Sequence, residues 1–111
     1  MLAIISMFRN DSAVIRCTIT NSAGAPFNLN TATAKFTVRR KENEEILIEK
    51  HTGDGITFHD EPNGVLDVNI NPVDTEDFIG KYVYDIEVTK TGSVYTVVKG
   101  VFRVTEDVSY V

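Results

Sequence analysis

The sequence predicts an all-β protein, folded as an antiparallel β-sandwich of seven or eight strands. Three observations lead to this prediction. Apolar residues recur at every second position instead of at helical spacing, turn residues separate the alternating stretches, and a new stretch begins about every 8 to 12 residues. The chain has 111 residues, of which 42% are hydrophobic and 24% are charged. That composition is typical of one globular domain with one core, so we treat residues 1–111 as a single domain.

The N-terminal half contains the first alternating stretches. Residues 1–8 are apolar on both faces, which indicates a strand buried in the chain or donated to a neighbour; we treat residues 1–11 as an N-terminal strand or arm. Residues 12–20 and 32–40 alternate strictly, and each stretch predicts a strand with one face toward the core. Residues 46–48 predict a short strand at a sheet edge, because charged residues flank it on both sides.

The C-terminal half contains the clearest strands. Residues 56–58 and 66–70 predict two strands joined by a hairpin turn. Residues 73–79 follow a proline and carry acidic residues early, which predicts a helix of one or two turns. Residues 81–88 and 94–104 then alternate without interruption. The tail, residues 106–111, has a weak pattern and is expected to be flexible outside an assembly.

Alternation in the last two strands places four apolar side chains on the outside of one sheet. They are Val83, Tyr95, Val97 and Val101. Because the outer face of a sandwich is normally polar, this patch predicts a contact with another chain. The alternative is that residues 1–8 cover the patch within the monomer. Gly100, in the interior of the last strand, predicts a bulge or bend at that position.

Charge and cysteine content exclude several classes of partner. The net charge is −5 and basic residues do not gather on one face, so we expect no nucleic-acid binding. No apolar run approaches the roughly 18 residues of a membrane helix, and residues 1–8 lack the basic start of a signal peptide, so we expect no membrane contact. Cys17 is the only cysteine and has no intrachain partner. A reducing cytoplasm is therefore the expected place of synthesis.

The sequence contains no motif for catalysis or for a cofactor. Phosphate-binding loops, metalloprotease motifs and nucleophile elbows are all missing, and Cys17 alternates with core residues, as a buried inert thiol would. His51 and His59 lie near Asp54, Asp60 and Glu61, a combination that could bind zinc or nickel. The simpler interpretation is two exposed histidines beside turns. We therefore expect no enzyme activity, no catalytic residue, no cofactor and no metal.

One stretch narrows the fold further. It reads Leu66-x-Val68-x-Ile70, then Val73 and Asp77, then Gly80-x-Tyr82-x-Tyr84. This pattern resembles the E strand, the E–F turn and the F strand of immunoglobulin-like domains, with Tyr82 as the residue of the tyrosine corner. Tyr84 occupies the position of the second disulfide cysteine, and Phe36 replaces the usual tryptophan. The resemblance therefore implies a disulfide-free immunoglobulin-like module.

Within that group, residues 12–106 resemble the immunoglobulin-like domains of tailed-bacteriophage virion proteins, such as the N-terminal domain of the baseplate upper protein family. The matching stretches include Val14-Ile15-Arg16-x-Thr18-Ile19-Thr20, Gly24-x-Pro26-Phe27-x-Leu29 and Gly80-x-Tyr82-x-Tyr84-Asp85-Ile86-Glu87-Val88. The resemblance implies a structural or adaptor protein in the virion, at the baseplate, tail, neck or head surface. Its partners would be other virion proteins and further copies of itself.

A second functional class stays open from the sequence. Sandwich domains also serve as carbohydrate-binding or host cell-surface-binding modules, and fold alone does not decide between these roles. Such a module would use the loops at the ends of the sandwich, residues 21–28 and 52–64. A glycan is the expected ligand in that case.

Overall fold

The computed structural model describes residues 3–106, which form eight strands and one turn of 3₁₀ helix. The strands are β1 (Ala3–Phe8), β2 (Ala13–Thr18), β3 (Thr33–Arg39), β4 (Ile46–Thr52), β5 (Gly55–Asp60), β6 (Val65–Ile70), β7 (Gly80–Lys90) and β8 (Ser93–Thr105). The all-β prediction is confirmed. The prediction for the tail falls mostly on residues 107–111, outside the described residues.

The strands follow the order β1-β8-β7-β3-β4-β5-β6-β2. Strands β4 and β5 are joined by only two described residue pairs, and we divide the sheet there into a five-stranded layer, β1-β8-β7-β3-β4, and a three-stranded layer, β5-β6-β2. The chain passes between the layers at a tight turn, where His51 and Thr52 pair in parallel with Gly55 and Ile56. Strand β1 also pairs in parallel with β8, and the other pairs are antiparallel. The sheet is therefore mixed, a detail that alternation within single strands does not reveal.

The core lies between the two layers. Phe36 is at its centre, with ring centroids 5.7 Å from Tyr84 and 6.2 Å from Phe102. The opposite layer contributes three buried side chains of β6, which are Leu66, Val68 and Ile70. Alternating residues of β3, β6 and β7 thus close the core, because each strand presents every second side chain to it.

Two predictions about sheet edges are wrong. Strand β4 is not an edge, because it lies between β3 and β5. One of its flanking charges, Lys50, is instead buried in an ion pair with Asp74, their Nζ and Oδ2 atoms 2.8 Å apart. Among the strands of residues 3–106, the edges are β1 and β2. Strand β1 is accordingly half-exposed, so the expectation of a strand buried within the chain is wrong, and the alternative of a strand donated to a neighbour stays a prediction.

The bulge in the last strand lies at Val97 and not at Gly100. Ile86 pairs with Val98 and Glu87 pairs with Thr96, which leaves Val97 as the extra residue of β8. Gly100 keeps regular pairing opposite Tyr84. A bulge reverses the faces of all residues beyond it, because side chains alternate with a period of two.

The predicted helix is shorter than expected. Only Pro72–Thr75 form a single 3₁₀ turn, which the Asp74 carboxylate holds by accepting the Asn71 N–H at 2.7 Å. In the described part of the chain no helix is long and apolar enough to cross a membrane.

Candidate interaction surface

The outer face of the five-stranded layer carries an apolar row that crosses three strands. Ile4 of β1 is in register with Val101 of β8, which is in register with Val83 of β7. Ile4 is 62% exposed, and both valines are half-exposed. We call these three residues the outer row. Side chains that are neighbours across strands form a continuous surface, so the outer row is one apolar strip.

The other two residues of the predicted patch lie elsewhere. Tyr95 pairs with Val88, a core-facing residue, because the bulge at Val97 turns the start of β8 over. Its ring contacts Phe27, with centroids 5.7 Å apart in an edge-to-face arrangement. Val97 packs against the margin of the core. The patch Val83, Tyr95, Val97, Val101 is therefore not one surface.

The structure also decides how the N-terminal segment relates to this face. Strand β1 lies beside β8 in the same sheet and does not lie over the outer face. It extends the apolar surface by Ile4 instead of covering it. Sequence reasoning missed Ile4, because residues 1–8 are apolar on both faces and their alternation does not show which side chains face outward.

Charged side chains border the outer row on one side. Asp85 accepts a hydrogen bond from the hydroxyl of Thr37 at 2.9 Å and lies 3.6 Å from the Arg39 guanidinium. Lys99 reaches Glu42 in the β3–β4 loop, with Nζ and Oε1 2.9 Å apart. This hydrogen bond lowers the pKa of the Glu42 carboxyl. The loop and the sheet together enclose a shallow hollow of about 470 Å³ that contains Val83 and Val101.

Two cations border the row on the other side. Lys81 and Arg103 are opposite each other on β7 and β8, and both are exposed. Within residues 3–106 neither one has a carboxylate in ion-pair distance. Like charges that are directly opposed destabilise a sheet, and a carboxylate from another molecule would relieve this repulsion. The surface thus suits a partner that presents an apolar strip beside an acidic group.

Tyr82 holds the crossover between the layers. Its hydroxyl donates to the Ile79 carbonyl at 3.1 Å and accepts from the Ile79 N–H at 3.2 Å. The ring stacks on Phe78, with centroids 5.1 Å apart, and the Arg40 guanidinium lies over it at 5.1 Å. These contacts have the geometry of a tyrosine corner, and they fix the turn that leads into β7.

The two histidines and Cys17, considered from the sequence as metal ligands or a nucleophile, do not form a common site. His51 lies 3.1 Å from Glu49, and the Nδ1 atom of His59 lies 3.2 Å from the Arg16 guanidinium. Among residues 3–106 no three metal-ligating side chains come together. Cys17 faces the core from β2 but is only half-buried, because β2 is an edge strand.

A second hollow lies at one end of the sandwich. It measures about 270 Å³ and is lined by Phe27, Tyr95, Asn28 and Lys90, among others. Lys90 donates to the Asn28 carbonyl at 2.6 Å and lies 5.8 Å from the centre of the Phe27 ring. The site therefore combines two aromatic rings with polar loop groups.

Comparisons with known proteins bear on the fold alone. No family model and no curated protein matches the chain. Among solved structures the chain is similar to the NK cell receptor Nkp44, described as a triggering partner in natural cytotoxicity, with a TM-score of 0.55 and 16% sequence identity. The likeness covers 95% of this chain and 99% of that one. The chain is thus an immunoglobulin-like β-sandwich.

Proposed function

We propose that this protein is a non-enzymatic structural or adaptor component of a tailed-phage virion, acting through the outer face of its five-stranded layer. The observation that carries the proposal is the outer row, Ile4, Val101 and Val83. It lies between an ion-paired cluster and two cations that have no carboxylate in ion-pair distance among residues 3–106. Exposed apolar strips of this kind are typical of protein contacts. The sequence resemblance to phage immunoglobulin-like domains supports the virion as the setting.

The partner follows from the chemistry of this surface. A partner that presents an apolar strip beside a carboxylate would cover Ile4 with the strip and pair the carboxylate with Lys81 or Arg103. This chain is itself acidic, with a net charge of −5, and other acidic virion proteins or further copies of it fit the surface.

Replacing Ile4 by lysine is expected to reduce incorporation of the protein into phage particles about tenfold or more. The substitution puts a charge into the most exposed part of the apolar row, where an anchor residue typically contributes about 2 kcal/mol or more. Fold stability should not change, because Ile4 is 62% exposed. The measurement is a quantitative immunoblot of particles purified on a density gradient, from cells in which the variant is the only copy.

Val73→Lys is the matched control, since Val73 is 64% exposed and lies in the 3₁₀ turn, outside the outer row. Equal incorporation of the two variants would exclude the outer row as the contact. Absence of the natural protein from purified particles would refute the virion role itself.

The hollow at Phe27 and Tyr95 favours a second candidate, a carbohydrate-binding or host cell-surface-binding module. Sugars stack on exposed aromatic faces, and Tyr95 is 47% exposed. In this case a glycan array should give specific binders that raise the melting temperature. Tyr95→Ala should weaken that binding about tenfold or more, and Tyr95→Phe should keep most of it because the ring remains. An array without binders, or binding unaffected by Tyr95→Ala, would exclude this site.

A further inference from the structure

Strand β2 has a free edge. It pairs with β6 on one side and is the last strand in the sheet order, so that within residues 3–106 no strand lies on its other side. Every second residue of such a strand presents its backbone N–H and C=O groups to solvent. These groups form a ready template for one more strand.

The open edge also exposes part of the core. Ala13, Ile15 and Cys17 face inward from β2, yet all three are only half-buried. Their counterparts on the neighbouring strand β6 are fully buried. On the outer side of β2, Val14 is 62% exposed. A strand added to this edge would remove apolar surface from water on both of its faces.

The devices that usually prevent edge pairing are missing from β2. Its residues include no proline and no lysine, and the register with β6 runs without a bulge from Ala13 to Thr18. Its one charge, Arg16, is neutralised by two hydrogen bonds to Asp67, at 2.8 and 2.9 Å. The outer side of the β2–β6 pair is thus neutral overall, while the Arg16 side chain, which is 54% exposed, can still contact side chains of an approaching strand.

We propose that β2 pairs in antiparallel orientation with β2 of a second copy of this chain, in a register centred on Ile15. Such a dimer joins the two three-stranded layers into one continuous sheet. Its contact is isologous, because the same strand serves both copies. This inference goes beyond the proposed function and does not depend on it, since it uses the opposite layer from the outer row.

Side-chain chemistry selects the register. Residues that face the core must oppose core-facing residues, which excludes every pairing shifted by one. Of the two remaining registers with the longest overlap, one is centred on Arg16 and sets the two guanidinium groups directly against each other, which is unfavourable. The register centred on Ile15 opposes Ala13 to Cys17 and Val14 to Arg16. All inner-face pairs are then apolar, and the stem of Arg16 covers Val14.

The two-fold arrangement predicts a specific cross-link. Ala13→Cys should give a disulfide-linked dimer on oxidation with copper phenanthroline, because directly opposed residues have the Cα separation of a disulfide. Peptide mapping should show position 13 joined to position 17. Burial raises the pKa of the Cys17 thiol, and the oxidation is therefore run at alkaline pH. The natural chain is the control, since its Cys17 side chains lie four positions apart in this register and cannot join.

A charge comparison tests the same contact without cross-linking. Val14→Glu and Val14→Lys change one exposed residue to opposite charges, next to Arg16 of the second copy. Sedimentation equilibrium should show a concentration-dependent dimer whose Kd is about threefold or more weaker for Val14→Lys than for Val14→Glu. An interface of a single strand is small, so the experiment extends to millimolar protein.

A natural chain that stays monomeric at millimolar concentration, with no cross-link in Ala13→Cys, would overturn the proposal. A cross-link at other positions, or equal Kd values for the two Val14 variants, would overturn the register. Because both experiments use only the purified chain, their failure would leave the virion role intact.

Discussion

Replacing Gly64 by alanine is expected to lower the free energy of unfolding by about 3 kcal/mol or more. Gly64 has a φ of +73°, and a Cβ atom there would lie 2.5 Å from the Ile19 carbonyl oxygen and 2.7 Å from that of Phe27. The left-handed backbone alone costs roughly 1–2 kcal/mol in an L-residue, and overpacking adds roughly 1–3 kcal/mol. Both obstructing atoms belong to the backbone and cannot turn away as a side chain would.

The physical reason is the way three segments meet at this glycine. The Ile19 N–H donates to the Gly64 carbonyl at 2.8 Å, and the Phe27 N–H donates to the Ile19 carbonyl at 3.0 Å. Moving the chain to admit a methyl group would break these bonds. The measurement is chemical denaturation followed by far-UV circular dichroism.

Gly92→Ala is the matched control for this prediction. Gly92 has a φ of +83°, but no atom of a residue other than its two chain neighbours lies within 4 Å of the place that the alanine methyl group would take. Only the backbone cost of roughly 1–2 kcal/mol therefore applies. Equal destabilisation by the two substitutions would show that the contact with Ile19 and Phe27 does not constrain the fold.

Removing the Asp74 carboxylate is expected to destabilise the protein by about 3 kcal/mol. The side chains of Lys50 and Asp74 are only 11% and 18% exposed, and their charged atoms are 2.8 Å apart. Asp74→Ala leaves a buried ammonium group without a partner, which typically costs about 3–5 kcal/mol, and also frees the Asn71 N–H. Thermal and urea denaturation would measure the loss.

Two further variants separate the causes. Adding Lys50→Met to Asp74→Ala removes the unpaired charge as well, and should recover about 1 kcal/mol or more because an apolar chain of similar length fills the site. Glu42→Ala breaks the exposed pair with Lys99 and should have no measurable effect. A double variant as unstable as Asp74→Ala would show that the buried charge is not the source of the loss.

The sequence predicts the features of this molecule that depend on residues close together in the chain, and it fails for features that depend on residues far apart in it. Alternation located the strands, because it records only which face of each strand meets the core. It misplaced Tyr95, since the bulge at Val97 is a property of two paired strands and leaves no mark on one. It could not bring Ile4 beside Val101, because parallel pairing of the first and last strands joins residues far apart in the chain.

The charged residues beside β4 led to a wrong prediction for a similar reason. Lys50 favoured a solvent-exposed edge position for β4. Its partner Asp74 lies in a different element, and the ion pair between them allows the Lys50 charge to be buried. Tyr82 is the opposite case. Its hydrogen bonds go to Ile79, three residues earlier, and such a local contact is visible in the spacing of the sequence.

The parallel pairing of β1 and β8 has a mechanical consequence. The two strands run together from Ala3 beside Gly100 to Phe8 beside Thr105. The chain therefore enters this pair at one end and leaves it at the other. A tension applied between Ala3 and Thr105 would slide the strands along each other and strain the whole ladder of evenly spaced hydrogen bonds together, instead of peeling them apart singly. The fold thus resists stretching along this axis.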